Sequence, residues 1–266
     1  MKTIINLVLL LLVACNHKTS DNKNEQKEIS PQVNASSIAK YELEIIDTLP
    51  HNATYYTQGL VIHNGILYEG TGHEGHSALI KYKKNKVEVD KIVNMESHIF
   101  GEGITILNDK IYQISWLNQL CFVYNLNLKK EKDLAYSGEG WGLTNDDSLL
   151  IMSDGSSTIR FIEPTNFTTI RSLTIKKANA PVRFINELEL VDSLLYMNIY
   201  MTDLVMVANI HTGEVIAEID ISILRKHLKN NPTQEVSNGI AYDQTTDLFY
   251  LTGKNWNKVF IVKIKK

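Results

Sequence analysis

The chain has 266 residues, 44% of them hydrophobic, with five prolines and a formal net charge of -3; that is apolar material for a sizeable core, and it excludes disorder as the overall state. Its 27 basic and 30 acidic side chains nearly balance, so the clustered basic excess that neutralises phosphates is missing and no nucleic-acid partner is expected. Two cysteines, one of them Cys15, do not make a disulfide framework, so the fold must be held by its core.

Met1-Lys2 is a short positive start, and the apolar run Ile4 to Val13, interrupted once by Asn6, leads to Ala14-Cys15. This reads as a signal peptide over 1–14. The run is too short for a permanent transmembrane helix, which needs about 20 residues to cross roughly 30 Å of hydrocarbon. Leu12-Val13-Ala14-Cys15 resembles the lipobox of bacterial lipoproteins, in which the cysteine is lipidated and becomes the new N-terminus. Several acyl chains on Cys15 give stable membrane attachment where one gives only marginal binding. The expectation is an exported bacterial lipoprotein of the cell envelope, periplasmic or on the outer surface; an ordinary signal peptide with a chance cysteine is the plainer alternative. Residues 15–40 are rich in Lys, Asn, Glu, Gln and Ser with few large apolar side chains, the composition of a flexible tether. Cys121, inside Leu120-Cys121-Phe122-Val123, reads as a small buried hydrophobe.

From Tyr56 onward one pattern recurs: a polar or aromatic residue, usually glycine next, an apolar alternation, a turn, and a second apolar run that usually contains tyrosine. The copies are Gln58-Gly59-Leu60, Glu102-Gly103-Ile104, Trp141-Gly142-Leu143, Asn186-Glu187-Leu188 and Asn238-Gly239-Ile240. They start 44, 39, 45 and 52 residues apart, the spacing of β-propeller blades. Each opens with a hairpin, as in Leu60–Ile62, His63-Asn64-Gly65, Ile66–Tyr68, and has room for four strands. The prediction is an all-β, five-bladed β-propeller over 41–266. Tyr41–Thr48 should complete the last blade, closing the ring and hiding an open edge. One short helix is expected near 222–229, in the insertion before the fifth copy, where apolar residues recur at helical spacing.

Innermost strands line a propeller's channel, so Gln58, Glu102, Trp141, Asn186 and Asn238 should point to one mouth. A carboxylate, three amides and an indole converging there suggest a binding site; the alternative is that they cap backbone groups or hold channel water. At the far ends of the inner hairpins lie Glu69, Trp116, Asp154, Tyr200 and Lys254. His73 and His76 have a spacing that could hold a metal, but no third ligand accompanies them, and they read as a surface loop. Ser153-Asp154-Gly155-Ser156-Ser157 reads as a turn, without the context of a nucleophile elbow.

At these residues the chain resembles the glutamine cyclotransferase family, the plant- and bacterial-type glutaminyl-peptide cyclotransferases. The matching stretches are Tyr56-Thr57-Gln58-Gly59-Leu60, Phe100-Gly101-Glu102-Gly103, Gly138-Glu139-Gly140-Trp141-Gly142-Leu143, Met152-Ser153-Asp154-Gly155-Ser156-Ser157, Asn186-Glu187-Leu188-Glu189, Asn238-Gly239-Ile240-Ala241-Tyr242 and Thr252-Gly253-Lys254-Asn255-Trp256. The resemblance implies a five-bladed propeller, acting without metal or other cofactor, that converts the N-terminal glutamine of peptides or proteins into 5-oxoproline with release of ammonia. Glu102 is then the catalytic acid/base, and Gln58, Trp141, Asn186, Tyr200 and Lys254 line the substrate pocket. The family usually has Trp where this chain has Tyr200. A monomer is expected.

The chemistry asks little more than one carboxyl group. The α-amine, with a pKa near 7.7–8.0, already has a neutral fraction at neutral pH; holding it against the side chain supplies proximity, and the departing amide nitrogen needs a proton. Two rival classes remain at this point. One is a non-catalytic, lipid-anchored propeller that binds peptides or partner proteins at the same mouth. The other is a sugar hydrolase or lyase, for which Glu69 or Glu139 would have to partner Glu102.

Overall fold

A computed structural model describes residues 38–84, 86 and 88–266. The signal segment, Cys15 and nearly all of the expected tether lie outside the described residues. Five antiparallel meanders of four strands, each running from inner to outer edge, make five blades. Blade 1 comprises Thr57–His63, Ile66–Thr71, Ala78–Tyr82 and Val89–Asn94. Blade 2 comprises Gly101–Leu107, Lys110–Ser115, Leu120–Asn125 and Lys130–Ala135. Blade 3 has Leu143–Asn145, Leu150–Met152, Thr158–Ile162 and Thr169–Thr174. Blade 4 has Ile185–Val191, Leu194–Ile199, Leu204–Asn209 and Val215–Asp220. Blade 5 takes Ser237–Asp243, Leu248–Gly253 and Lys258–Lys265 from the end of the chain and Glu42–Pro50 from its beginning.

That last pairing, from Glu42 against Lys265 to Pro50 against Lys258, closes the ring as the sequence suggested. The polypeptide joins the propeller slightly earlier than position 41: Ile38 packs on the apolar cluster between blades 3 and 4, and Ala39–Lys40 pair in parallel with the outer strand of blade 4. The helix near 222–229 is a 3₁₀ turn over Ser222–His227. Only Leu224 of that stretch is buried and no side chain caps its start, so a longer α-helix would have had no apolar stripe to bury.

The core is divided by blade interface. One apolar cluster fills each gap between neighbours, such as Phe161 with Leu188 and Met197 between blades 3 and 4, or Tyr196 and Val207 with Phe249 and Phe260 between blades 4 and 5. The tight inner-hairpin turns follow from residues that tolerate positive φ: Asn64 (54°) with Gly65 (73°), and Asn108 (51°) with Asp109 (57°).

The glycine of the repeat has a steric cause. A Cβ on Gly59 would lie 2.4 Å from the Ile104 nitrogen, one on Gly103 would lie 2.5 Å from the Leu143 nitrogen, and one on Gly142 would lie 2.1 Å from the Asn186 oxygen. Each inner strand therefore touches the backbone of the next at this point. In blade 4 the equivalent residue is Glu187, which reaches across the channel instead. Its carboxyl accepts the N–H of Leu60 in blade 1 (3.2 Å) and of Ile240 in blade 5 (2.8 Å). Removing these acceptors leaves two buried N–H groups unpaired, each costing roughly 1–3 kcal/mol. Glu187→Ala is expected to lower unfolding stability by about 2–5 kcal/mol; a urea midpoint equal to that of the wild-type protein would show that this crossing contributes nothing.

Candidate active site

Four of the five inner strands carry a β-bulge at the repeat's first residue. The register skips between Thr57 and Gly59, Gly101 and Ile104, Ile185 and Leu188, and Ser237 and Ile240. A bulge turns a side chain out of the pleat, and here the residues it turns are Gln58, Glu102, Asn186 and Asn238. In blade 3 the strand starts only at Leu143, and Trp141 precedes it.

Gln58, Glu102, Trp141, Asn186, Tyr200 and Lys254 meet around one cavity of about 210 Å³, together with Trp116, Tyr56, His73 and Phe100. Asn238 stands behind this wall. Its amide donates to the Thr57 carbonyl (3.0 Å) and to Gln58 Oε1 (3.3 Å), which orients Gln58 so that Nε2 donates to Glu102 Oε1 (2.9 Å). The other carboxyl oxygen of Glu102 is free of hydrogen bonds among the described residues.

Of the far-end residues, Trp116, Tyr200 and Lys254 reach the cavity and Glu69 and Asp154 do not. Trp116, Tyr200 and Lys254 each follow the second-run tyrosine by four residues, and the same count falls on Gly72 from Tyr68 in blade 1 and on Gly155 from Ile151, which takes the tyrosine's place in blade 3. Those glycines make room for aromatics of the site: a Cβ on Gly72 would lie 2.5 Å from the Phe100 ring, and one on Gly155 (φ +78°) would lie 2.7 Å from the Trp141 indole. Glu69 is fully buried elsewhere. It binds His51 Nε2 (3.0 Å) and accepts from Thr57 Oγ1 (2.7 Å) and Tyr82 (2.5 Å). Asp154 faces Arg160 at 3.7 Å. Glu69 is therefore unable to partner Glu102, and Glu139 is committed to two indoles.

Those indoles are Trp116 and Trp141, whose Nε1–H groups both donate to Glu139 Oε2, at 2.7 and 2.9 Å. The loop behind is held by Arg160, which donates to the carbonyls of Ser137 (2.9 Å) and Glu139 (2.8 Å). Trp141 meets Tyr200 edge to face, with centroids 5.6 Å apart. Tyr56 packs against His73 at 4.0 Å and donates its hydroxyl to Glu235 Oε2 (2.8 Å). The Lys254 ammonium lies between two ring faces, 4.7 Å from Tyr56 and 4.9 Å from Tyr200.

The sequence reading did not include Tyr56, His73, Phe100 and Glu139 among the site residues. Three of them carried a signal: Tyr56, Phe100 and Glu139 each stand two residues before the repeat's first position. His73, read as a surface loop residue, is exposed with φ 81° yet forms part of the rim. Cys121 is fully buried and remote from the cavity lining.

The electrostatics resolve the competition between burial and the cation. Burial holds the Glu102 carboxyl well above the ordinary carboxylate range; Lys254 pulls in the opposite direction without prevailing, and the charge of Glu139 pushes the same way as burial. Burial also lowers the Lys254 ammonium from its usual value, against the pull of Glu102 and Glu235. The site thus offers a carboxyl biased toward its protonated form, a nearby cation, and the Oδ1 of Asn186, a buried acceptor with no partner among the described residues.

The fold is thus a five-bladed propeller with a buried carboxyl facing an aromatic-lined cavity. Residues 9–264 match the family profile described as glutamine cyclotransferase. The chain is 31% identical over 230 residues to the glutaminyl-peptide cyclotransferase of Arabidopsis thaliana, covering 85% of this chain and 72% of the plant protein. It is also similar to the crystal structure of Myxococcus xanthus glutaminyl cyclase, with a TM-score of 0.80 and 32% identity over 86% of this chain and 98% of that one. The chain belongs to the glutamine cyclotransferase family.

The chain has three tryptophans, and Trp256 is fully buried, so indole emission reports on the cup. Glu139→Ala is expected to shift that emission to the red and raise its quenching by acrylamide. Glu139→Gln, which keeps one acceptor oxygen, should recover most of the difference. Unchanged quenching in the alanine variant would mean that packing alone holds the two rings.

Proposed function

We propose that this protein is a glutaminyl-peptide cyclotransferase that turns an N-terminal glutamine into 5-oxoproline and ammonia. The observation that carries the reading is Glu102, 5% exposed and with its carboxyl raised well above the ordinary carboxylate range by burial, facing a cup walled by Trp141, Tyr200, Tyr56, Phe100 and Trp116. A cavity of about 210 Å³ is smaller than the roughly 300–1,000 Å³ of ordinary ligand clefts, so it suits one folded side chain and its amine.

The aromatic walls fold the glutamine side chain back on its own amine, which converts ring closure into a positioned intramolecular step. Asn186 Oδ1 accepts an N–H of the neutral α-amine and aims its lone pair at the γ-carboxamide carbon. As the C–N bond forms, the C=O electrons move to oxygen, where Lys254 stabilises the charge. The Glu102 acid donates its proton to the carboxamide nitrogen, the C–N bond to that nitrogen breaks, and ammonia leaves. The resulting Glu102 carboxylate takes the surplus proton from the new ring nitrogen, which restores the starting acid. Protonation of the leaving group therefore comes first for Glu102 and proton abstraction second, the order that its raised pKa favours.

Glu102→Gln is expected to reduce ammonia release from a Gln-initiated peptide by about 10²–10⁴-fold, with thermal unfolding close to that of the wild-type protein; activity within a few-fold of normal would remove Glu102 from the mechanism. The pH profile of kcat/KM should be a bell. Its acid limb belongs to the substrate amine, which must be neutral, and its alkaline limb to Glu102, which must carry its proton. A profile with no alkaline limb would contradict the acid-first order.

The proposal extends to a bacterial lipoprotein: a signal peptide over 1–14, lipidation at Cys15, a tether, and a monomeric catalytic propeller held at the membrane in the cell envelope. Its support is the charged start, the short apolar run and Leu12-Val13-Ala14-Cys15. Cys15→Ser is expected to move the protein from the membrane fraction of the expressing bacterium to the soluble fraction, and retention in the membrane would refute the anchor.

A further inference from the structure

Ten large hydrophobic side chains are exposed among the described residues. Ile46, Val89, Ile92, Ile170 and Ile216 sit on the outermost strands of their blades, where alternation along an edge strand sends some side chains outward. No alternation explains Leu117 (57% exposed), Phe184 (55%) and Met201 (70%), which lie outside the strands and are the most exposed of the ten apart from Ile170.

None of the three lines the cavity itself, but each is joined through the backbone to a residue that does. Leu117 follows Trp116, and Met201 follows Tyr200, so the two occupy the same repeat position in blades 2 and 4. Phe184 stands two residues before Asn186, the position held by Tyr56 and Phe100 in blades 1 and 2, and both of those wall the cavity. Its carbonyl accepts the N–H of Tyr200 and its own N–H donates to the Gly155 carbonyl, each at 2.8 Å. The Trp116 backbone is fixed in the same way, with its N–H donating to Phe100 at 2.9 Å. These side chains are presented by hydrogen-bonded loops. Phe184 and Met201 are moreover held at φ 61° and 66°, a conformation that costs backbone energy in a residue other than Gly, Asn or Asp. Two large apolar side chains displayed to solvent from an unfavourable backbone, beside a cavity that admits a single residue, imply an occupant arriving through that cavity's mouth.

We propose that Leu117, Phe184 and Met201 form an apolar subsite for the residues that follow the N-terminal glutamine, so that the preferred substrates are chains with a large apolar residue at the second or third position. This rests on the cyclotransferase reading of the cup. The glutamine enters the cavity, its carboxyl-side peptide bond emerges at the mouth, and the next side chains lie on the three apolar ones, covering them from water. The aromatic cup selects glutamine; the rim selects its neighbours.

The test is ammonia release from glutaminamide and from the tripeptide amides Gln-X-Ala and Gln-Ala-X, with X being Gly, Ser, Glu, Lys, Leu or Phe. Leu and Phe are expected to exceed Gly by about tenfold in kcat/KM at one or both positions, the scale on which apolar contacts discriminate, with the difference in KM. Phe184→Asn combined with Met201→Asn removes the apolar surface while supplying a residue that tolerates positive φ, so the fold should be at least as stable. In that variant the Phe-to-Gly ratio should fall toward one. Glutaminamide ends before the rim and reads the cup alone: no ammonia from it or from any peptide would overturn the cyclotransferase reading. Ammonia from glutaminamide with a flat peptide series would overturn the subsite and leave that reading standing. A flat series together with binding to neutral phosphatidylcholine vesicles that the double variant loses would assign the three side chains to a lipid surface instead. A full preference surviving in the double variant would overturn the assignment to Phe184 and Met201.

Discussion

The inner ends of blades 1 to 4 approach one another so closely that a single methyl group at Gly59, Gly103 or Gly142 would collide with the neighbouring backbone. This contact sets the diameter of the ring. A narrow channel brings the first residues of the repeats together, and bulges in three of the blades aim Gln58, Glu102 and Asn186 into one small volume while the fourth sets Asn238 behind Gln58. A wider propeller with the same side chains would leave water between Glu102 and its neighbours, and the carboxyl would ionise as an ordinary acid. Steric crowding of the backbone is thus upstream of the pKa on which the chemistry depends.

The polar residues of the channel divide into those that support and those that act. Asn238 holds Gln58, and Gln58 holds one oxygen of Glu102; Glu187 ties three blades together; Glu139 steadies two indoles. Asn238 and Asn186 each keep a buried Oδ1 without a partner among the described residues, and one oxygen of Glu102 is likewise free; Glu102 and Asn186 differ from Asn238 in lining the cavity. An unpartnered oxygen that faces a cavity separates a site from a satisfied core.

Much of this was legible in the residues. The repeat announced five blades because the close contact demands glycine at one fixed point of blades 1, 2 and 3, blade 5 holds Gly239 there at φ +119°, and Glu187 is the exception that bridges. Gln58, Glu102, Trp141 and Asn186 were legible as one constellation for the same reason. Glu69 and Asp154 went astray because the far end of the hairpin has to be counted from the tyrosine of the second run, or from Ile151 in its place in blade 3, and that count lands on Gly72 and Gly155, residues with nothing chemical to notice. Tyr56 and Phe100 were hidden by the bulges, since strand alternation broken at the site conceals which flanking side chains return to the same mouth, and Glu139 lies in a loop ahead of the blade 3 strand, where no alternation applies. The dominance of burial over Lys254 at Glu102 depends on depth and distance, which no one-dimensional pattern encodes.

The cup draws Tyr56 and Gln58 from blade 1, Phe100, Glu102 and Trp116 from blade 2, Trp141 from blade 3, Asn186 and Tyr200 from blade 4, and Lys254 from blade 5. Blade 5 in turn is complete only when Glu42–Pro50, among the first described residues, has paired with Lys258–Lys265, almost the last. The pocket has no local address in the chain. During synthesis, every earlier stage is a stack of blades with an unpaired edge and a cup still missing its cation. Catalytic competence and the burial of the last exposed edge therefore arrive in the same event, and a chain able to act on a substrate is also one that no longer offers a strand to its neighbours.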